Sequence, residues 1–168
     1  MDILKTATDW AKAELFSTQF FILFGVAFMT ASLGFWQLGK TDIARAYIIP
    51  TLVAGLILTT IGLGLYFTNK ARVTQFITAY NTDATDFVAS EIKRTEATLK
   101  EYKNVVFTGI PIILIACSLV LLFAKTSIWR ASAITTIAML VIILLVDGTA
   151  SARVEAYHQE LKLVDVKK

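Results

Sequence analysis

Few side chains in this 168-residue chain have the type and spacing that catalysis requires. His158 is the single histidine and lies in the C-terminal segment, while Cys117, the single cysteine, lies in the middle of an apolar run. A zinc site needs several His, Cys or acidic ligands close together, and a nucleophilic Ser or Cys needs a neighbouring base. No Gly-rich phosphate loop is present. We therefore expect no catalytic residue, no metal site and no cofactor site, and predict that the protein is not an enzyme.

Polar residues in or beside the apolar runs are the remaining candidates for chemistry. Ion translocation usually leaves ionisable side chains within membrane spans, and Asp147, at the end of the fourth apolar run, comes closest. It is either an interfacial residue at a helix end or a gate or cation site at a pore mouth. Thr59 and Thr60 could line a narrow pore in an oligomer, although such hydroxyls commonly bond to their own helix. These three residues are the candidate pore or gate.

A seven-residue phrase occurs twice in the chain. Residues 40–46 read KTDIARA, and residues 125–131, 85 positions later, read KTSIWRA, so that five of the seven positions are identical. Each copy stands between two long apolar runs. This pattern indicates one membrane hairpin that has been duplicated.

The two copies of the phrase also concentrate charge and aromatic side chains. One interpretation is that the cations extend to the membrane surface beside an aromatic belt. The other is a paired basic site for a lipid phosphate or an acidic partner. The candidate contact residues are Lys40, Arg45, Lys125, Arg130, Trp36 and Trp129.

Hydrophobic residues make up 56% of the chain, and its mean hydropathy is +0.66. Crossing ~30 Å of hydrocarbon takes roughly 20 helical residues. We predict an all-α, polytopic membrane protein with four transmembrane helices, arranged as two tandem hairpins of a parallel repeat. The four charge-free runs are residues 20–38, 46–67, 105–124 and 131–146.

Three further segments have helical, amphipathic patterns. We divide the chain into an amphipathic N-terminal helix, a first transmembrane hairpin, a cytoplasmic helical hairpin that turns near Asn81, a second transmembrane hairpin and a cytoplasmic C-terminal helix. The apolar stripes of the middle and C-terminal segments need each other or another subunit to be covered. The five segments are residues 1–17, 18–67, 68–104, 105–147 and 148–168.

The distribution of Lys and Arg predicts the orientation in the membrane. The N-terminal, middle and C-terminal polar segments share one side and carry 12 of the 16 cations, whereas the two tips carry 4. Both termini and the middle segment should therefore be cytoplasmic. The net charge of +3 is small, which favours attraction to membrane lipids and not nucleic-acid binding.

The stretch LGFWQ at residues 33–37, followed by Tyr47 and then Gly55-Leu56, is similar in order and spacing to the repeat of the yiaA/B-type two-helix family. Those are small bacterial inner-membrane proteins built from tandem transmembrane hairpins. The resemblance covers roughly residues 31–57 and, more weakly, the second half. It implies a multi-pass protein of the bacterial inner (cytoplasmic) membrane. The long central helices and the amphipathic ends depart from the family.

The pattern as a whole favours a structural function. We expect a non-enzymatic inner-membrane scaffold or accessory subunit that forms a homo-oligomer or joins a larger membrane complex. One alternative is an oligomeric channel or small-solute transporter with a hydroxyl-lined pore. Another is a lipid-interacting, membrane-shaping protein that acts through its amphipathic helices.

Overall fold

The computed structural model describes residues 3–165, and within them the fold is entirely helical. Four stretches of helix are long and apolar enough to cross a membrane, which confirms the all-α prediction and the number of candidate spans. Lys167 and Lys168, which are among the 12 cations of the polar segments, lie outside the described residues. The elements are α1 (Ile3–Leu38), α2 (Asp42–Ala46), α3 (Ile48–Thr82), α4 (Ala84–Glu101), a π-helix (Tyr102–Gly109), α5 (Ile110–Phe123) and α6 (Ser127–Asp165).

Three helices continue without a break from the apolar runs into the polar segments. The boundaries drawn at residues 17/18, 67/68 and 147/148 fall inside α1, α3 and α6, which have 36, 35 and 39 residues. At ~1.5 Å per residue each is over 50 Å long, against a hydrocarbon core of ~30 Å. The N- and C-terminal amphipathic segments are therefore ends of long helices and not separate helices.

The polar ends of these helices assemble with α4 into a four-helix arrangement that we call the polar layer. It comprises residues 3–17 of α1, 68–82 of α3, all of α4 and 148–165 of α6. The apolar stripes of the middle and C-terminal segments pack together inside this layer. Ile77, an apolar residue of α3, is the exception and is 44% exposed. Because the chain covers these stripes itself, they do not call for a second subunit. The buried core is Ile3, Ala7, Trp10, Ala11, Phe76, Phe87, Val88, Val154, Tyr157 and Leu161.

The turn between α3 and α4 lies at Asp83, two residues beyond the predicted position at Asn81. Asp83 has an extended backbone, with φ of −153°, and its carboxylate accepts hydrogen bonds from the N–H groups of Thr85 (2.8 Å) and Asp86 (3.0 Å). An Asp in this position satisfies the free amides of the first helical turn. The cap therefore begins α4 at Ala84.

In the apolar half, α1 and α3 pack against each other through glycine. A Cβ atom on Gly55 would lie 2.8 Å from the carbonyl oxygen of Gly25 and 2.7 Å from Cγ of Met29. One on Gly62 would lie 2.9 Å from the backbone nitrogen of Ile22. Small residues permit this approach of two backbones in a lipid environment. The first hairpin is therefore a tightly closed pair.

The second hairpin replaces those glycines with larger residues. At the 85-residue offset of the repeat, Gly25, Gly55 and Gly62 correspond to Ile110, Leu140 and Asp147. Ile110 and Leu140 are buried with Val106 in a small apolar cluster between α5 and α6. Side chains thus fill the space that backbone contact closes in the first hairpin.

The repeated phrase forms the same turn in both copies. The N–H of Arg45 donates to the carbonyl of Thr41 at 3.0 Å, and the N–H of Arg130 donates to that of Thr126 at 3.3 Å. In the first copy the helix is interrupted at Tyr47, three residues before Pro50. Because proline has no N–H, the carbonyl of Ala46 lacks its usual helical donor. The second copy instead runs straight into α6.

A π-helix over Tyr102–Gly109 precedes α5. The N–H of Ile110 donates to the carbonyl of Val105, five residues back, and Thr108 Oγ1 donates to the carbonyl of Lys103 at 2.8 Å. Pro111 follows and supplies no N–H for the carbonyl of Phe107, so that normal α-helical bonding cannot continue through this point. Such π-helical turns occur frequently at functional sites.

Candidate functional site

A cavity of about 510 Å³ lies where the polar layer meets the apolar half of the molecule. Its apolar wall consists of residues at or near one end of each of the four apolar runs, which places the cavity at the level where these runs stop. Volumes of ~300–1,000 Å³ are typical of small-molecule sites. It is lined by Trp10, Glu14, Ser17, Thr18, Phe21, Leu65, Asn69, Arg72, Arg94, Thr98, Glu101, Tyr102, Val105, Val106, Val146, Asp147, Ala150 and Val154.

One side of the cavity is cationic. Arg94 makes a two-pronged ion pair with Glu91, from Nε at 2.7 Å and from Nη2 at 2.6 Å, and its guanidinium lies 4.6 Å from the centre of the Trp10 ring. Arg72 donates only to the amide oxygen of Asn69, at 3.0 Å. Burial lowers the pKa of Arg72, and the nearby Arg94 lowers it further. Arg72 therefore brings a positive charge that no carboxylate among residues 3–165 pairs with directly.

A second ion pair closes the cavity between α1 and α6. Arg153 Nε donates to the Glu14 carboxylate at 2.9 Å, and its Nη2 donates to Ser17 Oγ at 2.7 Å. Burial raises the pKa of Glu14, and the hydrogen bond and charge of Arg153 oppose that rise. The pair joins two helices whose residues are 139 positions apart, so it fixes the polar end of α1 against α6.

Asp147 carries the opposite charge into the same cavity. It is partly buried and has no hydrogen-bond or ion-pair partner among the described residues 3–165. Tyr102 lies in the field of Asp147. Burial raises the pKa of the Tyr102 phenol, and the negative charges of Asp147 and Glu14 raise it further. The structure thus brings the predicted gate residue to a cavity between helices, and its role as a gate stays a prediction.

Trp10 forms part of the wall between the cavity and the core of the polar layer. Its side chain is 7% exposed, and its indole Nε1–H is buried without a hydrogen-bond acceptor among the described residues. The ring stacks on Tyr157, with centroids 5.2 Å apart, and on Phe76 at 6.3 Å. A buried donor without a partner is uncommon and marks a place where an acceptor would be favourable.

The structure does not bring Thr59 and Thr60 to this cavity. Thr59 Oγ1 donates to the carbonyl of Gly55 at 2.8 Å and packs against Gly25, while Thr60 is exposed on the outer side of α3. Thr59 therefore takes part in closing the first hairpin. Neither hydroxyl joins Asp147 in a common site.

The predicted contact residues of the two tips are all exposed. Trp36 and Trp129 are 67% and 64% exposed, as an aromatic belt requires. Arg45 Nε donates to the carbonyl of Gly39 at 3.2 Å, which satisfies a group at the end of α1. Lys40, Lys125 and Arg130 are likewise exposed.

Sequence reasoning missed a polar network inside the polar layer. His158, which the sequence places in the C-terminal segment, is 6% exposed, and its Nδ1 lies 2.7 Å from Thr95 Oγ1. Tyr157 Oη donates to Glu91 at 3.1 Å. The signal available in the sequence was the spacing of three between Glu91 and Arg94, which allows an ion pair on one face of a helix. Among residues 3–165, no group of three or more His, Cys, Asp and Glu side chains could hold a metal ion.

Comparisons of the chain with family models, with curated proteins and with solved structures find no match. The resemblance of residues 31–57 to the two-helix inner-membrane family therefore stays a prediction.

Proposed function

We propose that this protein is a non-enzymatic, four-span membrane scaffold or accessory subunit that holds a rigid helical layer against one membrane face. The continuity of α1, α3 and α6 carries this proposal. A flexible linker would let a soluble layer move independently of its anchor, whereas unbroken helices transmit position and orientation directly. Two interhelical contacts support the same conclusion, the Glu14–Arg153 pair in the polar layer and the Gly25–Gly55 approach in the apolar half.

The proposal includes an orientation and a location. The bias of 12 to 4 in Lys and Arg supports a cytoplasmic polar layer, with both termini on that side. The similarity of residues 31–57 to bacterial two-helix repeats supports the inner membrane. Labelling of single cysteines placed at Lys40 and at Lys93 by a membrane-impermeant maleimide tests the orientation: we expect labelling from outside at residue 40 only.

We propose α5 as the surface through which the scaffold self-associates or joins a larger complex. It belongs to the candidate span Ala84–Phe123, whose most apolar part is 11% buried, compared with 17%, 28% and 22% in the other three candidate spans. Lipid covers such a face in a monomer and another helix covers it in an assembly. Ile115, which is 63% exposed, marks the face.

Cross-linking tests the assembly. In a Cys117→Ser background, Ile115→Cys should form inter-chain disulfides in native membranes, or cross-link to a partner under a short bismaleimide. Gly64→Cys is the matched control, because Gly64 faces open space on α3. Equal cross-linking from both positions, or monodisperse monomer in mild detergent with no cross-linked partner, would contradict the proposal.

A small-solute channel or transporter is the second candidate. A groove of about 450 Å³ between α3 and α6 is mainly apolar but carries three hydroxyls, from Ser132, Thr135 and Thr136. Flux through reconstituted liposomes separates this candidate from the scaffold. Loss of flux on Thr135→Val together with Thr136→Val would support it, and absence of flux in the parent protein would count against it.

A further inference from the structure

The cavity between the polar layer and the apolar half contains an anionic and a cationic side chain that do not pair with each other. Arg72 and Asp147 both line it, yet no ion pair joins them in the part of the chain described. The other buried charges are already matched, Arg94 with Glu91 and Arg153 with Glu14. Glu101 also lines the cavity, but it is exposed. Two unmatched charges of opposite sign on one cavity complement a ligand that itself carries both charges.

Arg72 fits the anionic half of such a ligand. It lies 5.9 Å from Trp10, measured from guanidinium carbon to ring centre, and both residues line the cavity. A phosphate in the cavity offers acceptors to Arg72, since guanidinium groups bind phosphates well. The charges of Asp147 and Arg72 both act on the phenol of Tyr102: Asp147 raises its pKa and Arg72 lowers it. The acidic and basic groups therefore act on one phenol without forming an ion pair with each other.

The apolar wall fits a ligand that is attached to a hydrophobic tail. Phe21, Leu65, Val106 and Val146 come from the four apolar runs, each at or near the end where the run meets the polar layer. In a membrane this is the level of the lipid headgroups. Three of the lining residues, Tyr102, Val105 and Val106, belong to the π-helix.

We propose that this cavity binds a zwitterionic headgroup with a primary ammonium and a phosphate, as in a phosphatidylethanolamine, with the ammonium at Asp147 and the phosphate at Arg72. The lipid as the source of this headgroup rests on the proposed membrane location. The shared chemistry, an ammonium joined to a phosphate by a short linker, also belongs to soluble phosphoethanolamine. A volume of about 510 Å³ accommodates a headgroup and leaves acyl chains outside.

Fluorescence of Trp10 provides a direct measurement. In a Trp36→Phe, Trp129→Phe background, detergent-solubilised full-length protein is titrated with dihexanoyl phosphatidylethanolamine, phosphatidylcholine and phosphatidylglycerol, and with free phosphoethanolamine. We expect the ethanolamine lipid to bind at least about tenfold more tightly than the choline lipid, which has no ammonium hydrogen to donate, and than the glycerol lipid, which has no cation. Tight binding of free phosphoethanolamine would support the cavity's chemistry and overturn the lipid as its source.

Variants test which residue binds the ammonium of the headgroup and which binds its phosphate. Asp147→Asn and Arg72→Gln should each weaken binding of the ethanolamine lipid at least about tenfold. Arg72→Lys should retain most of it, which separates loss of charge from loss of fold. Asp42→Asn, at an exposed carboxylate of the first tip, is the control. Equal binding of all three lipids, insensitivity to Asp147→Asn, or no binding of any probe to folded protein would overturn the proposal. None of these results depends on whether α5 cross-links, so the scaffold proposal stands or falls separately.

Discussion

The indole ring of Trp10 stacks on the phenol ring of Tyr157, with centroids 5.2 Å apart and ring planes inclined by 11°. The two residues come from near the two ends of the described chain, on α1 and α6. Phe76 and the Arg94 guanidinium cover other parts of the same indole. Trp10 belongs to α1, and its side chain thus contacts the other three helices of the polar layer, α3, α4 and α6.

Removing that ring should destabilise the polar layer. We expect Trp10→Ala to lower the free energy of unfolding by ~3–5 kcal/mol, the usual cost of deleting a large buried aromatic side chain. Thermal unfolding in mild detergent, followed by circular dichroism, measures it. Trp36→Ala removes an exposed tryptophan from the tip and should leave the transition nearly unchanged. Similar losses from both variants would show that Trp10 is not the centre of this core.

The Glu91–Arg94 pair makes a different prediction, because it is buried and polar. Glu91 is 5% exposed and also accepts a hydrogen bond from Tyr157. Glu91→Ala leaves a guanidinium and a phenol without their acceptor and should cost about 3 kcal/mol. Glu96→Ala, on the exposed face of the same helix, should cost well under ~1 kcal/mol. Urea unfolding of both variants in detergent compares them, and equal costs would contradict the buried role.

Closure of the first hairpin depends on glycine at position 55. A methyl group there meets Met29 and the Gly25 carbonyl at 2.7–2.8 Å, so Gly55→Ala should lower stability by ~1–3 kcal/mol. Gly64→Ala meets nothing within 4 Å and should raise stability by up to ~1 kcal/mol through helix propensity. Unfolding in mixed micelles of sodium dodecyl sulfate gives both values. The same sign for both variants would show that the close approach is not limiting.

Glu14 predicts a pH dependence whose sign distinguishes burial from ion pairing. Since burial raises the pKa of Glu14 above its usual 4.5, the folded state favours the neutral acid. The carboxyl's contribution to stability is then complete below pH ~4.5 and is lost as pH rises through the folded-state pKa. The stability of the parent protein relative to Glu14→Gln should therefore fall as pH rises.

The measurement is thermal stability of the parent and of Glu14→Gln across pH 4 to 8, with exposed Glu96→Gln as the control for loss of a carboxylate. If the parent instead gained stability over Glu14→Gln with rising pH, the attraction of Arg153 would outweigh burial, and the pKa of Glu14 would lie below its usual value.

The four candidate spans could be predicted because charge-free runs of sufficient length have few other uses. The α3–α4 turn was predicted within two residues, since Asp83 and its neighbours carry the cap in their own sequence. Helix continuity through residues 17/18 and 147/148 was missed because a change in hydropathy was treated as a structural boundary, although nothing there breaks the backbone hydrogen bonds.

The cavity could not be predicted, because it depends on residues that are far apart in sequence. Trp10, Arg72 and Asp147 come together only when α1, α3 and α6 pack, and no local pattern records that packing. The burial of His158 could not be predicted for the same reason, since its partner Thr95 is 63 positions away. Asp147 was noticed from sequence because it is the ionisable residue that comes closest to an apolar run, at the end of the fourth.

The π-helix at residues 102–109 also determines which face of α4 packs against the other helices of the polar layer. Each residue added to or removed from an α-helix turns the preceding segment by ~100° relative to the following one and shifts it by ~1.5 Å. With Pro111 unable to donate to Phe107, the wide turn is maintained by covalent structure. Rewinding the same eight residues as an α-helix would rotate Glu91 and Thr95 away from Tyr157 and His158. The angular register of the polar core is thus held by a segment that contributes only Tyr102 to it.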